Sequence, residues 1–197
     1  MAHEHHHKRF NPENLSRLDD PDRNHLFPID RILTLAGIKP QMTVADIGVG
    51  TGYFAIPIAK LIAPATLFAV DVSQEMLDYF RNKLSQPGMP KNIQLVTGAA
   101  EATMLDSASC DIVFLSAVWH EVDDEAQTLA EFARILKPHG RVSIVDWSPN
   151  GTRPPGPPLE HRVHLEKVGE TFTSKGWKVI TSNSLNESIY VVVAERP

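Results

Sequence analysis

The sequence has a single cysteine, Cys110, in 197 residues. One thiol excludes an intrachain disulfide and any metal site built from several thiolates, and it suits a reducing compartment. Positive charge is also scarce. Nineteen Lys and Arg face 24 Asp and Glu, a net charge of -5, and no dense basic run is present to neutralise a phosphate backbone, so nucleic acid is a poor partner. No apolar run approaches the ~18 residues of a membrane span. The opening MAHEHHHKRF lacks the apolar stretch of a secretory signal. These absences predict a soluble, cytoplasmic protein with neither membrane nor nucleic-acid partners. What is present, 42% hydrophobic residues, is enough to fill one core, and the length suits one domain.

Residues 1–27 read as a polar, His-rich arm punctuated by Asn11-Pro12 and Asp20-Pro21, and the domain is expected to run over 28–197. His3, His5, His6 and His7 are metal-ligating residue types, but a tail without neighbours to orient the rings is no site, and no metal is predicted. Apolar runs at 43–47, 66–70, 93–96, 111–115 and 141–146 alternate with helical patterns at 53–62, 74–85 and 122–137, the last with Ala126, Leu129, Ala130, Ala133 and Leu136 on its apolar face. Such alternation predicts a doubly wound α/β fold with a mostly parallel sheet covered on both faces. A short helix over 29–36, stopped by Gly37, precedes it. Beyond the fifth run, SPNGTRPPGPP carries five prolines in eleven residues and predicts a stiff loop. A helix from about Leu159 to Lys175 follows, then Trp177–Ser182 and Ser188–Ala194, close enough for an antiparallel hairpin.

The chemistry-bearing segment is VADIGVGTGYFAIPIA, a buried strand, then Gly48, Gly50 and Gly52, then a helix. Glycines let the backbone turn tightly and approach a ligand at a helix N-terminus. A dinucleotide fingerprint would place its third glycine at position 53, where this chain has Tyr53. Asp71 ends the second strand in LFAVDVS, placed to accept hydrogen bonds from ribose hydroxyls. A plain structural turn, with Asp71 as a helix cap, is the competing reading.

The D-x-G-x-G-x-G string from Asp46 to Gly52 resembles the first motif of S-adenosylmethionine-dependent methyltransferases. GAAEATML at 98–105, DIVFLSAVWHEVDD at 111–124 and FARILKPHGRVSIVDW at 132–147 extend the resemblance over about 28–194, to the small Rossmann-like enzymes related to quinone-biosynthesis C-methyltransferases. It implies a seven-stranded sheet and methyl transfer from S-adenosylmethionine to a small-molecule acceptor. It also implies that Asp46 and Gly48 face the methionine end, that Gly50 and Gly52 give backbone approach, and that Asp71 takes the ribose and Val72 the adenine face. Ala100, Glu101 and Ser116 complete the implied cofactor contacts. Ala99 stands where many relatives carry an adenine-binding aspartate. The lone cysteine argues against the multi-thiol arsenite methylation of some relatives.

Acceptor chemistry is expected at the carboxyl edge of the fourth and fifth strands. His120 is a candidate general base and Asp146 a candidate to orient acceptor or base; backbone-bonded and turn-forming roles are the alternatives. Trp119 is a candidate wall, Trp147 ends the fifth strand at the same edge, and Glu160 and His161 read better as surface residues. Arm and proline loop are candidate lids. Two other functions compete: a nicotinamide-dependent oxidoreductase on the same fold, and a non-enzymatic module that binds S-adenosylmethionine or a metal.

Overall fold

The computed structural model describes residues 23–151 and 156–197. The histidine cluster, the arm before Arg23 and the centre of the proline loop lie outside the described residues.

Seven strands form one sheet in the order β3-β2-β1-β4-β5-β7-β6. They are β1 (Val44–Ile47), β2 (Leu67–Asp71), β3 (Ile93–Thr97), β4 (Cys110–Ser116), β5 (Leu136–Trp147), β6 (Lys178–Ser184) and β7 (Ile189–Glu195). Strands β1 to β5 pair in parallel, and β7 lies antiparallel between β5 and β6. The chain order reverses between β1 and β4, so the carboxyl ends of these two strands flank the crevice where an open α/β sheet binds its ligand.

Both faces of the sheet are covered, which explains the uninterrupted apolar reading of β1, β4 and β7. Val44, Leu67, Ala69, Ile112, Phe114, Val145 and Val191 face one core. On that side lie α2 (Ile29–Ala36), α3 (Ala55–Ile62) and α4 (Gln74–Leu84). Alternate residues, among them Ala45, Ile47, Val113, Leu115, Ile144 and Val192, face the other core, covered by α5 (Glu125–Ile135) and α6 (Leu165–Ser174). Gly37 ends α2 in the left-handed conformation, its N–H bonding back to Leu33 and Thr34. Ser73 caps α4 by accepting from the Met76 N–H, and Asp124 caps α5 by accepting from Gln127.

Three expectations change. The helix read over 122–137 is shorter, and it buries Thr128, Leu129, Phe132 and Ile135 while Ala126 and Ala130 are exposed; the larger apolar side chains take the core and rotate the helix accordingly. The helix read from Leu159 to Lys175 breaks into a 3-10 turn, Leu159–His161, and α6, with Arg162 turned inward between them at 6% exposure. Packing also begins before Pro28. Arg23–Leu26 forms a short helix, α1, and Phe27 is 1% exposed, edge-on to Trp147 at 5.2 Å and to Phe54 at 6.3 Å. Asn186 and Tyr53 hold this segment by hydrogen bonds to the Leu26 and Phe27 carbonyls.

Because Phe27 belongs to the core, Phe27→Ala is expected to destabilise the protein by ~3–5 kcal/mol. Urea denaturation measures it. A loss below ~1 kcal/mol would show that residues 23–27 dock on a domain complete without them.

Candidate active site

The glycine loop leaves β1 with all three glycines in the left-handed region, φ 70° at Gly48, 53° at Gly50 and 81° at Gly52. Two of them are also demanded by packing. A Cβ on Gly48 would stand 2.4 Å from Val118, and one on Gly52 would stand 2.1 Å from the Phe80 ring of α4. The third glycine of the motif therefore admits a core aromatic beneath the loop, a role beyond the backbone approach read from the sequence. Lys83 of α4 donates to the Thr51 carbonyl from the same side.

Asp71 ends β2 at 8% exposure. Its Oδ2 accepts the Gly50 N–H at 3.0 Å and its Oδ1 the Ser73 N–H at 2.9 Å. Burial raises its pKa, and the backbone N–H groups of Ser73, Gly50 and Val72 pull the other way. The competing reading of Asp71 as a local cap is thus half right: it organises the turn into α4, yet it also reaches across to the glycine loop. Each carboxylate oxygen retains acceptor capacity for a ligand hydroxyl.

Asp46 is in a different state. It is 3% exposed at the end of β1, and among the described residues its carboxyl accepts no hydrogen bond. Burial above all, then the charge of Asp71, pushes its pKa up to about 8, with Arg23 opposing. Such a group calls for a cationic or hydrogen-bond-donating partner. Thr51 of the glycine loop and Ser116 at the end of β4 each have a buried hydroxyl without a partner among the described residues. Val72 is 45% exposed and Ala100 9%. Glu101 is half-buried, beside Ala100 in the tight turn closed by mutual hydrogen bonds of Ala99 and Ala102. The structure therefore brings Asp46, Gly48, Gly50, Asp71, Val72, Ala100, Glu101 and Ser116 to the carboxyl edge of one sheet.

His120 and Asp146 meet. His120 lies on a 3-10 turn, Trp119–Glu121, after β4, and its Nδ1 is 2.8 Å from Asp146 Oδ1. Asp146 also accepts the N–H of His120 at 3.1 Å and of Trp147 at 2.7 Å. A carboxylate only accepts, so Nδ1 carries the proton and Nε2 presents its lone pair, 3.8 Å from Glu121 Oε1. Burial would lower the His120 pKa, but the charge and hydrogen bond of Asp146, helped by Glu121, raise it above 6.5 overall.

Some neighbours carried no sequence signal. Arg23 lies 4.6 Å from the Tyr53 ring centre and 5.0 Å from that of Phe27. Arg162 lies 5.3 Å from the Trp147 ring centre and donates to the carbonyls of Ser148 and Pro157. Tyr190, the β7 residue opposite Asp146, has a buried hydroxyl without a partner among the described residues. Of the remaining candidates, Trp119 stacks on Phe172 in the core, Glu160 is exposed and His161 half-buried. Cys110 is buried at the opposite end of β4.

Comparisons with known proteins give the family. A model of the methyltransferase domain family matches residues 45–144. The ubiquinone/menaquinone biosynthesis C-methyltransferase of Hahella chejuensis is 32% identical over 123 residues, 62% of this chain and 48% of that protein; the chain spans about half the length of the curated relatives it matches. The crystal structure of an S-adenosylmethionine-dependent methyltransferase from Aquifex aeolicus superposes with a TM-score of 0.89 at 28% identity, covering 96% of this chain and all of that one. The [4+2]-cyclase SpnF shares the fold alone, with a TM-score of 0.73 at 14% identity over 87% of this chain and 80% of its own. With more than half of its length matched by the family model, and with the glycine loop and both carboxylates in place, the chain belongs to the methyltransferase domain family.

Proposed function

We propose that the protein transfers a methyl group from S-adenosylmethionine to a small-molecule acceptor. The observation that carries this reading is the pair of carboxyls flanking the glycine loop: Asp71 anchored by the loop and Asp46 buried without a donor. A buried carboxyl at this place gains a counter-charge from a ligand with a cationic end and gains none from the pyrophosphate of a dinucleotide, which weighs against the oxidoreductase alternative. Bound there, S-adenosylmethionine supplies an electrophilic methyl group on a sulfonium. Asp46 would receive the ammonium of its methionine part, Asp71 the ribose hydroxyls, and the turn at Ala100 and Glu101 the adenine. The relatives' names, which refer to quinone biosynthesis, support a small acceptor.

On the acceptor side the chain's own contribution is the His120–Asp146 pair. Asp146 holds the ring with Nδ1 protonated, and Nε2 takes the proton from an acceptor oxygen, nitrogen or activated carbon as the new bond forms. The same pair stabilises the imidazolium that results.

Three outcomes test the reading. Titration calorimetry should show binding of S-adenosylmethionine, weakened ~10–100-fold in a folded Asp71→Ala variant by loss of charge-assisted ribose bonds; unchanged affinity would move the ribose elsewhere.

The second concerns pH. Asp46, with its pKa about 8, is mostly protonated in the free protein at neutral pH, whereas a bound cation favours the ionised form. Affinity should therefore rise with pH, close to ~tenfold per unit between about pH 6 and 7.5, below the titration of the ligand's own α-amino group near ~8. Asp46→Asn should flatten this slope. A slope unchanged in that variant would assign the proton to another group.

Third, His120→Ala should cut turnover to S-adenosylhomocysteine by ~10²–10⁴-fold with cofactor affinity nearly constant. In the wild-type enzyme, turnover should fall as pH drops through a pKa above 6.5, because only the neutral ring accepts a proton. Wild-type turnover in the variant would leave His120 a structural residue.

A further inference from the structure

One polar cluster lies outside the groups already assigned. Glu131, on α5, has a side chain only 10% exposed. Its Oε1 accepts the Thr103 N–H at 2.8 Å and the Thr103 hydroxyl at 2.5 Å. Arg134, one turn along, holds the same carboxylate through Nε at 2.7 Å and Nη2 at 2.8 Å. The guanidinium continues to the Leu105 carbonyl at 2.7 Å and the Ser107 hydroxyl at 3.1 Å. The Arg134 guanidinium above all holds the Glu131 pKa at about 2, with Thr103 adding to it, so the carboxylate stays charged at any working pH. Thr103 itself is wholly buried.

The other end of this loop is tied to β2 by the Gly98 N–H on the Asp71 carbonyl, at 3.0 Å. Between the two ties stands the turn Ala99–Ala102, closed by reciprocal hydrogen bonds of 3.1 Å. Packing leaves it no slack, since a Cβ on Gly98 would lie 2.7 Å from the Thr103 carbonyl oxygen. The N–H groups of Ala100 and Glu101 point to no partner among the described residues. Position 99 offers only a methyl group, so it has no side chain with which to read a base edge. Recognition through peptide groups depends on where the backbone sits, to within a few tenths of an ångström.

We propose that Glu131 and Arg134 are positioning residues for adenine recognition: from α5 they fix the peptide groups of Ala100 and Glu101 through Thr103 and Leu105, without touching the cofactor. This rests on the cofactor reading above. It accounts for a charge-assisted network, stronger than neutral hydrogen bonds, spent on a loop that carries no catalytic side chain.

The test compares S-adenosylhomocysteine with S-inosylhomocysteine, whose base edge replaces the amino donor and N1 acceptor of adenine with a carbonyl and an N–H. Wild-type protein should prefer the adenine ligand. Arg134→Lys and Glu131→Gln should lose about tenfold for S-adenosylhomocysteine and little for the inosine ligand, so that discrimination collapses. Thr103→Ser, which keeps the hydroxyl, should behave like wild type, and Thr103→Val should resemble Glu131→Gln. Amide hydrogen exchange at Ala100–Ala102 should accelerate in the ligand-free Arg134→Lys protein, a readout that survives even if Glu131→Gln fails to fold. Equal losses for both ligands, or discrimination retained with unchanged exchange, would reduce the cluster to a fold-stabilising contact and overturn the proposal. Wild-type protein that binds neither ligand would instead overturn the cofactor reading, and this one with it.

Discussion

Asp71 ties together three loops that the chain delivers separately to the carboxyl edge. Its two side-chain oxygens hold Gly50 of the first crossover and Ser73 at the start of α4, and its backbone carbonyl holds Gly98 after β3. Each bond alone contributes about 1–3 kcal/mol. Together they set the distance between the glycine loop and the turn at Ala100, the two places to which the proposed function assigns the ligand's two ends. A buried carboxylate without those donors would be costly, so the loops and the acid require one another.

Against this satisfied group stands Asp46, only two residues before the loop's first glycine and left without a donor. The two carboxyls share one side of the sheet, and the charge of Asp71 is among the causes that keep Asp46 protonated. A cationic ligand resolves both costs at once, by giving Asp46 a counter-charge and by offsetting the repulsion between the acids. The histidine pair belongs to the opposite side of the sheet, where Asp146 follows Val142 and Ile144 on one face of β5.

The glycine loop shows how one motif answers two demands. Gly50 is needed for its left-handed backbone and for its N–H on Asp71, whereas Gly48 and Gly52 also yield space to Val118 and Phe80. Conserving volume for Phe80 lets α4 pack directly beneath the loop, so the ligand-facing turn rests on core and not on solvent. The N-terminal segment repeats the pattern within the same core, where Phe27 fills the space between Phe54 and Trp147 and places Arg23 over Tyr53.

Much of this was legible in the residues. The alternation of apolar runs, the glycine spacing and the position of Asp71 depend on local backbone geometry and strand periodicity, and these are properties of short segments. The sequence by itself therefore determined the doubly wound sheet, the antiparallel hairpin and the sheet edge to which the glycine loop and Asp71 come. It could not determine which buried polar groups meet. His120 and Asp146 are 26 residues apart, Thr103 and Glu131 are 28, and the inward turn of Arg162 interrupts a segment whose periodicity continues through it. Only the tertiary structure decided those pairs and the burial that leaves Asp46 without a donor, because the energy of a charge depends on neighbours brought by other strands, and no local pattern encodes that distance.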